Sequence, residues 1–298
     1  MLITERTVYA VIPTYNRVKL TSQCVRRLLG QSYPRIIVIV SDGGSSDGTP
    51  EVIRAEFPSV TVLTTTKELW WGGAMARGID WVRKQGVPES DYVLMMNDDT
   101  EFEPDLVECL VGASEEFDAA VAAATVDSIH PSVILDAGTY IDWEEYKFNV
   151  MTDFEEGRNG RYDVDVLPGR ATLIPIHMIQ AAGNVDASRF PHYISDYEFF
   201  YRLKRHGFRL GVTSETSIPS HVDMTGVFIR QGKRYGFREY LSILAGRRSM
   251  NNIFDHYRFI MRCGPKGRRA KIIGRAFGRV IINGIRRITR GEGRTTQR

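Results

Sequence analysis

Through residue 126 the chain alternates short runs of apolar residues with stretches whose apolar positions recur every three or four residues. VYAVI (8–12), IIVIV (36–40), VTVLT (60–64) and YVLMM (92–96) read as buried strands, because they are short, rich in β-branched residues and bounded by polar or turn-forming residues. Between them the spacing predicts a helix near 18–29 closed by Gly30, a helix opened by Pro50 and another near 73–85. Pro104 then opens a further helix, and AAVAAATV follows. Strands that alternate with helices imply an α/β fold with a mostly parallel sheet covered on both faces. The first half therefore has the character of a nucleotide-binding, Rossmann-like fold.

The regular pattern breaks between about 127 and 166, where DWEEYKFN and FEEGRNGRYD mix aromatic, charged and glycine residues without a period. A stretch of this kind is expected to cover or shape a cleft. Regular signals return with VDVLPGRATLIPI and then with ISDYEFFYRLKRHGF, whose helical spacing puts Asp196, Phe199, Phe200 and Leu203 on one face. No internal repeat or low-complexity segment is present.

Composition changes after residue 230. Of 39 Lys+Arg and 36 Asp+Glu in the chain, residues 231–298 hold 18 and three, leaving 21 and 33 before them. The body is thus near −12 and the tail near +15, an asymmetry that points the tail toward an anionic surface, either membrane or nucleic acid. Cys24, Cys109 and Cys263 are odd in number and lack a C-x-x-C spacing, so neither a disulfide framework nor a zinc site is indicated and a reducing, cytoplasmic compartment is expected. The N-terminus MLITERTVYAVIP has no secretory pattern, and no uncharged apolar run is long enough to span a bilayer.

Four clusters could carry chemistry. VIPTYNR (11–17) and SDGGSSDGT (41–49) each follow an apolar strand, and Gly43, Gly44 and Gly48 let backbone approach a ligand closely. Neither matches a dinucleotide or phosphate-loop glycine pattern. The third, Asn97, Asp98 and Asp99, ends the run YVLMM at the carboxyl edge of a strand, where α/β sheets bind ligands. Adjacent acids repel unless a cation lies among them, and hard oxygen ligands suit Mg²⁺ or Mn²⁺; as solvated helix-capping residues they would need none. In the fourth, SDYEFF (195–200), Ser195 reads as an N-cap, so Asp196 falls in the first turn of a helix, where the ionised carboxylate is favoured.

In this order and spacing the four clusters resemble the inverting family 2 glycosyltransferases of the GT-A fold, over roughly residues 7–225. The resemblance implies that Pro13, Tyr15 and Asp42 hold the base and ribose of a nucleoside diphosphate sugar donor, with Arg77 a further nucleotide contact. It puts Asn97, Asp98 and Asp99 at the family's D-x-D metal motif, with Asn97 departing from the acid; Asp99 then becomes the metal ligand and Asp98 meets donor hydroxyls. His221 resembles a histidine that completes the metal site in some relatives, and is otherwise a satisfied loop residue. Asp196 stands where the family has its catalytic base. Glu198 points away from Asp196 along the helix and is expected to orient neighbours or pair with Arg202. LWWGGAMARGI (69–79) resembles a segment of bacterial surface-polysaccharide enzymes, rhamnosyltransferases included, which brings Gly73 and Trp71 into the candidate set; Trp70 and Trp71 stack on sugars or belong to the core.

The implied division is a catalytic domain over 1–230, with a donor-binding half at 1–126 and an acceptor-side half at 127–230, followed by a basic helical extension at 231–298. The implied reaction moves a sugar to an acceptor hydroxyl of a lipid-linked or growing surface glycan. A sugar-nucleotide nucleotidyltransferase, which would need a basic Gly-rich loop where PTYNR stands, and a non-catalytic glycan-binding relative, which would be expected to lose Asp99 or Asp196, are the alternatives. In the tail, RRAKIIGRAFGRVIINGIRRITR (268–290) interleaves Ile272, Ile273, Phe277, Val280, Ile281 and Ile288 with arginines. That pattern fits an amphipathic helix lying on an anionic membrane better than nucleic acid, for which no motif is present. Glycines 274, 278 and 284 weigh against the helix, and a helix packed on the protein itself is the competing reading.

Overall fold

The computed structural model describes residues 6–65, 69–220, 236–247 and 249–289. The chain alternates β1 (Val8–Thr14), α1 (Val18–Leu29), β2 (Ile36–Asp42), α2 (Thr49–Glu56), β3 (Thr61–Leu63), α3 (Trp71–Lys84), β4 (Tyr92–Met95), α4 (Leu106–Phe117) and β5 (Ala119–Asp127). Short strands β6 (Ile134–Asp136), β7 (Thr139–Asp142), β8 (Lys147–Val150) and β9 (Gly160–Arg161) follow. Then come β10 (Thr172–Pro175), α5 (Ile176–Ala182), α6 (Ser195–Arg205) and β11 (Arg209–Ser220), and last the helices α7 (Phe237–Ala245), α8 (Ile253–Cys263) and α9 (Arg269–Thr289). Among the described residues these group into two compact units, 1–140 with 149–223, and 141–148 with 224–298.

The first unit holds a nine-stranded sheet in the order β3-β2-β1-β4-β10-β5-β11-β9, with β6 paired to β5. The pairs β1–β2, β1–β4, β2–β3 and β5–β11 are parallel. All seven residues of β1 are buried, as expected of a parallel strand covered on both faces. One face is filled by Cys24, Val25 and Leu28 of α1 and by Leu106, Val107, Leu110 and Val111 of α4, packed with β-strand residues such as Val8, Ala10 and Ile12. On α3 the missing side chain of Gly78 lets the helix approach Val11, whose Cγ1 would lie 2.3 Å from an added Cβ.

Strand β10 is the one reversal in the centre of this sheet, pairing antiparallel with both β4 and β5. Thr172, at its start, lies opposite Met95 at the end of β4. Residues 168–171 therefore arrive at the carboxyl edge of the parallel strands, the edge from which Asn97, Asp98 and Asp99 emerge. The irregular stretch 127–166 contains strands of only two to four residues, too short to leave a period in the sequence. Helix α3 starts two residues earlier than its spacing indicates, at Trp71.

In the second unit α9 is a helix of 21 residues despite Gly274, Gly278 and Gly284. Gly284 is used for close packing, since an added Cβ would lie 2.7 Å from the ring of Tyr240. Tyr240 also donates its hydroxyl to the carbonyl of Val280 at 2.8 Å. Asn252 caps α8 by accepting from the amides of Phe254 and Asp255.

Two glycines of the first unit make a matched test of packing against helix propensity. A Cβ on Gly72, in α3, would lie 2.8 Å from the carbonyl oxygen of Phe190 and 3.0 Å from that of Pro191, whereas one on Gly112, in α4, meets nothing within 4 Å. Gly112→Ala is expected to gain up to about 1 kcal/mol from propensity, and Gly72→Ala to lose about 1–3 kcal/mol through overpacking. Urea unfolding of both variants checks the pair; equal gains would show that the 190–191 backbone yields freely.

Candidate active site

The register of the parallel strands assembles the site from three loops. Thr14 ends β1 opposite Asp42 at the end of β2, and Thr14 Oγ1 donates to Asp98 at 2.9 Å. Beyond β1, Asn16 adopts φ 52° and accepts from the amide of Ser46 at 2.7 Å, while the amide of Val18 donates to Asp47 at 3.2 Å. These bonds fix the 14–18 loop against the 42–48 loop and aim Arg17 at the end of β4. Asp42 is buried and its carboxylate accepts the amides of Gly44 and Ser45, both at 3.0 Å. Pro13 is buried beside it in β1 and Tyr15 is exposed.

One guanidinium nitrogen of Arg17 lies 3.0 Å from Asp98 Oδ1 and 3.0 Å from Asp99 Oδ2. Asp98 is buried and Asp99 is exposed. Burial raises the Asp98 carboxyl above its ordinary value, against the pull of Arg17. Burial also works against the charge on Arg17, but the two carboxylates outweigh it and the guanidinium holds its proton more firmly than usual. Arg17 is thus a cation held between the two acids, a role its place in VIPTYNR had not revealed. Asn97 takes no part in that charge pair; its side-chain oxygen accepts the indole N–H of Trp71 at 2.8 Å.

Trp71 connects this cluster to the other candidate. A Cβ on Gly169 would lie 2.4 Å from the Trp71 ring and 3.1 Å from Cβ of Asp196, so only glycine lets the chain pass between them. The amide of Gly169 donates to Asp196 at 3.0 Å, and that of Tyr197 donates to the other carboxylate oxygen at 3.0 Å. Burial raises the carboxyl of Asp196, with these amides and Arg170 acting in the opposite direction. The expectation that a helix start would favour its ionised form is thus outweighed by desolvation. Ser195 is not the N-cap: Ile194 holds that position at φ 65°, and Ser195 Oγ instead bonds the carbonyl of His192. A β-branched residue in the left-handed region costs about 1–3 kcal/mol, and here it turns the chain so that Asp196 enters the first turn of α6.

Arg170, next to Gly169, is half-buried. Burial lowers its pKa, while Asp136, Asp99, Tyr197 and Asp196, in that order, oppose the shift. It places one positive charge in reach of both Asp99 and Asp196. Nothing in PGRAT signals this, because only the reversal of β10 delivers it to the edge.

The remaining sequence candidates have other surroundings or are not described. Glu198 is buried in a two-point ion pair with Arg202, at 3.0 and 3.2 Å, and Arg202 also bonds the carbonyls of Gly183 and Asn184. Glu198 thus pairs with Arg202, as its spacing implied, and Arg202 ties α6 to the end of α5. Arg77 donates to the carbonyl of Thr64, and its other terminal nitrogen has no hydrogen-bond partner among the described residues. Gly73 packs ordinarily against Leu69, and Trp70 lies 5.4 Å from the ring of His192. His221 lies outside the described residues.

Among the described residues no group of three or more His, Cys, Asp or Glu side chains could hold a metal. Asp98 and Asp99 nevertheless fit a hard cation in part: two oxygen ligands already share one positive group, and a diphosphate would supply further oxygens.

The model of Glycosyl transferase family 2 matches residues 9–170. Among curated proteins the chain is 29% identical over 107 residues to the N-acetylglucosaminyl-diphospho-decaprenol L-rhamnosyltransferase of Mycobacterium tuberculosis, covering 33% of this chain and 35% of that one. It is 26% identical over 220 residues to the succinoglycan biosynthesis protein ExoA of Rhizobium meliloti, covering 72% and 63%. The match thus spans about a third of the first relative. Among solved structures, a mannosyltransferase from Pyrobaculum calidifontis in complex with GDP-Man and Mn²⁺ superposes with a TM-score of 0.56 at 16% identity, covering 95% of this chain and 72% of that one. GalNAc-T7 with UDP, GalNAc and Mn²⁺ gives a TM-score of 0.58 at 13% identity, covering 92% and 54%. These likenesses show the GT-A fold.

Removing Arg17 leaves buried Asp98 with only Thr14 as a described side-chain donor. Arg17→Ala is expected to lower stability in chelator by about 1–2 kcal/mol, less than a fully buried broken pair because Arg17 is 48% exposed. Arg27→Ala, which breaks the exposed pair with Glu101, is expected to stay within about 0.5 kcal/mol. Thermal melts in chelator compare them, and equal effects would deny Arg17 its special place.

Proposed function

Because the chain belongs to Glycosyl transferase family 2, we propose that it transfers a sugar from a nucleoside diphosphate donor to an acceptor hydroxyl in one inverting displacement. Residues 1–126 bind the donor, through Pro13, Tyr15, Asp42, Arg77 and Asp98, and residues 127–230 form the acceptor side. The observation that carries this reading is the continuous path from Asp98 and Asp99, through Asn97, Trp71 and Gly169, to Asp196.

Asp99 would hold Mg²⁺ or Mn²⁺, with His221 a further ligand, while Asp98 would meet donor hydroxyls. When bound, the metal neutralises charge on the departing diphosphate. Asp196 takes the proton of the acceptor hydroxyl while that oxygen bonds the anomeric carbon. The bond from that carbon to the diphosphate oxygen breaks, its electron pair leaves with the nucleoside diphosphate, and the configuration inverts. The amides of Gly169 and Tyr197 hold the carboxylate in place. Arg170 stabilises its charge until the proton arrives. The relative that is a diphospho-decaprenol rhamnosyltransferase supports a lipid-linked acceptor, and our reading extends to a growing surface glycan handled at the cytoplasmic face of the cell membrane.

Asp196→Asn is expected to reduce transfer by about 10²–10⁴-fold while changing stability by no more than about 1 kcal/mol, since relief from burying a charge offsets one weakened amide bond. Donor titration, melting temperature and acceptor turnover on this variant decide the role; near-normal turnover in folded protein would move the base elsewhere. The rate should also fall on acidification at a pH above the ordinary aspartate range, because burial raises the carboxyl that must be ionised. The same shift means that the folded state binds this proton more tightly than the unfolded one, so ionising Asp196 costs stability as pH rises.

Metal dependence is tested separately. Asp99→Asn is expected to abolish Mn²⁺-dependent transfer, and full activity of the parent in excess chelator would remove the metal from the mechanism.

A further inference from the structure

The basic charge of the C-terminal unit is not all free to meet a surface. Arg268 pairs with Glu144 at 2.8 Å, Arg275 pairs with Glu145 at 3.0 Å, and Arg279 donates to the carbonyl of Tyr146 at 3.0 Å. Arg275 and Arg279 of α9, with Arg268 just before it, therefore hold the turn between β7 and β8. Of the large apolar side chains that remain in water, Ile281 and Ile282 lie on α9, and Phe237, Leu241, Phe254, Tyr257 and Met261 lie on the other two helices.

In α8 the residues Asp255, Phe259, Ile260 and Cys263 are buried, so that face is the inner one. The outer face of a surface helix is ordinarily polar, yet here it carries Phe254, Tyr257 and Met261, spaced three and four apart, with Phe254 54% and Tyr257 45% exposed. Met250, just before the helix, is exposed as well. Helix α7 repeats the arrangement: Tyr240, Ile243 and Leu244 are buried, while Phe237, 63% exposed, and Leu241 form an outer stripe four residues apart. Exposed Arg238 and Arg247 flank these stripes, while Arg258, also exposed, pairs with Asp255 at 2.9 Å.

We propose that the outer faces of α7 and α8 form a docking surface for an anionic lipid bilayer, with Phe237, Leu241, Phe254, Tyr257 and Met261 entering the interface. Large aromatic and flexible apolar side chains bordered by arginines match a layer whose surface is anionic and whose interior is hydrocarbon. The excess of 18 basic over three acidic residues in 231–298 supplies the complementary charge. A folded partner protein of ordinary surface would leave that charge unmatched. The proposal deepens the membrane-facing acceptor reading above and moves the contact from α9 to α7 and α8. Its test requires no catalysis, so it stands or falls apart from the transfer reaction.

The full chain is sedimented with vesicles of phosphatidylcholine alone and of phosphatidylcholine with phosphatidylglycerol. The parent is expected to bind the anionic vesicles and to lose binding as salt rises. Phe254→Ser/Tyr257→Ser/Met261→Ser, whose positions are exposed, is expected to keep the parent's melting temperature and bind about tenfold or more weakly. A second variant, Phe237→Ser/Leu241→Ser, should weaken binding in the same direction. Equal binding of both variants and parent overturns the proposal, as does binding to neutral and anionic vesicles alike. Light scattering gives the remaining arm: a parent dimer that the triple variant converts to monomer, with no vesicle binding by either, overturns it in favour of a self-association face.

Discussion

A buried carboxylate beside a second one is costly to ionise unless a cation lies between them. Asp98 and Asp99 meet this constraint through Arg17, and most of the site follows from how that arginine is delivered. The fixed register of β1 against β2 and β4 brings the 14–18 loop to the acids. The bonds from Asn16 and Val18 to the neighbouring glycine loop set its direction. Arg17 approaches from the solvent side and is 48% exposed, so it can leave the acids without opening the core.

The second constraint is topological. With the strands around it sharing one direction, reversed β10 brings its entry to the edge where the others end. Gly169 and Arg170 are carried there by backbone pairing, not by any affinity of their own. Gly169 then does what no other residue could, passing between Trp71 and Asp196 while lending its amide to the carboxylate. Asp196 is thereby held in a drier setting than a helix start alone provides, which is why burial prevails in setting its proton affinity. A base with a raised pKa is a stronger acceptor once ionised, and Arg170 offsets the cost of keeping it so.

The strands and helices up to β5 could be read from the sequence because burial on both faces writes continuous apolar runs, and helices between them write a 3.6-residue period. The acids at the strand end were equally plain. Other features were hidden for definite reasons. Strands of two to four residues in 127–166 are too short to write a period. Ser195 carries the chemistry of a cap, but the chain turns one residue earlier at Ile194, where a positive φ overrides side-chain preference. Arg17 and Arg170 are unremarkable in sequence, because what gives them a role is an alignment of strand ends that no local pattern encodes. Glu198, by contrast, was legible, since its pairing with Arg202 is a matter of helical spacing alone.

Charge counts mislead in the same manner. The tail's basic excess and the apolar positions of α9 both point at a surface, yet Arg268, Arg275 and Arg279 are spent on Glu144, Glu145 and the backbone of Tyr146. Val280 and Gly284 likewise face Tyr240 within the unit. An arginine satisfied by a carboxylate or carbonyl has little left for a distant anion, so part of the charge of the helix richest in basic residues is spent within its own unit. What reaches solvent is decided by the residues a fold leaves over after its own polar groups are matched, and on α7 and α8 these are aromatic and aliphatic side chains beside exposed arginines. Amphipathicity can thus be read from a helical wheel, but which of its two faces is outward is settled only by packing.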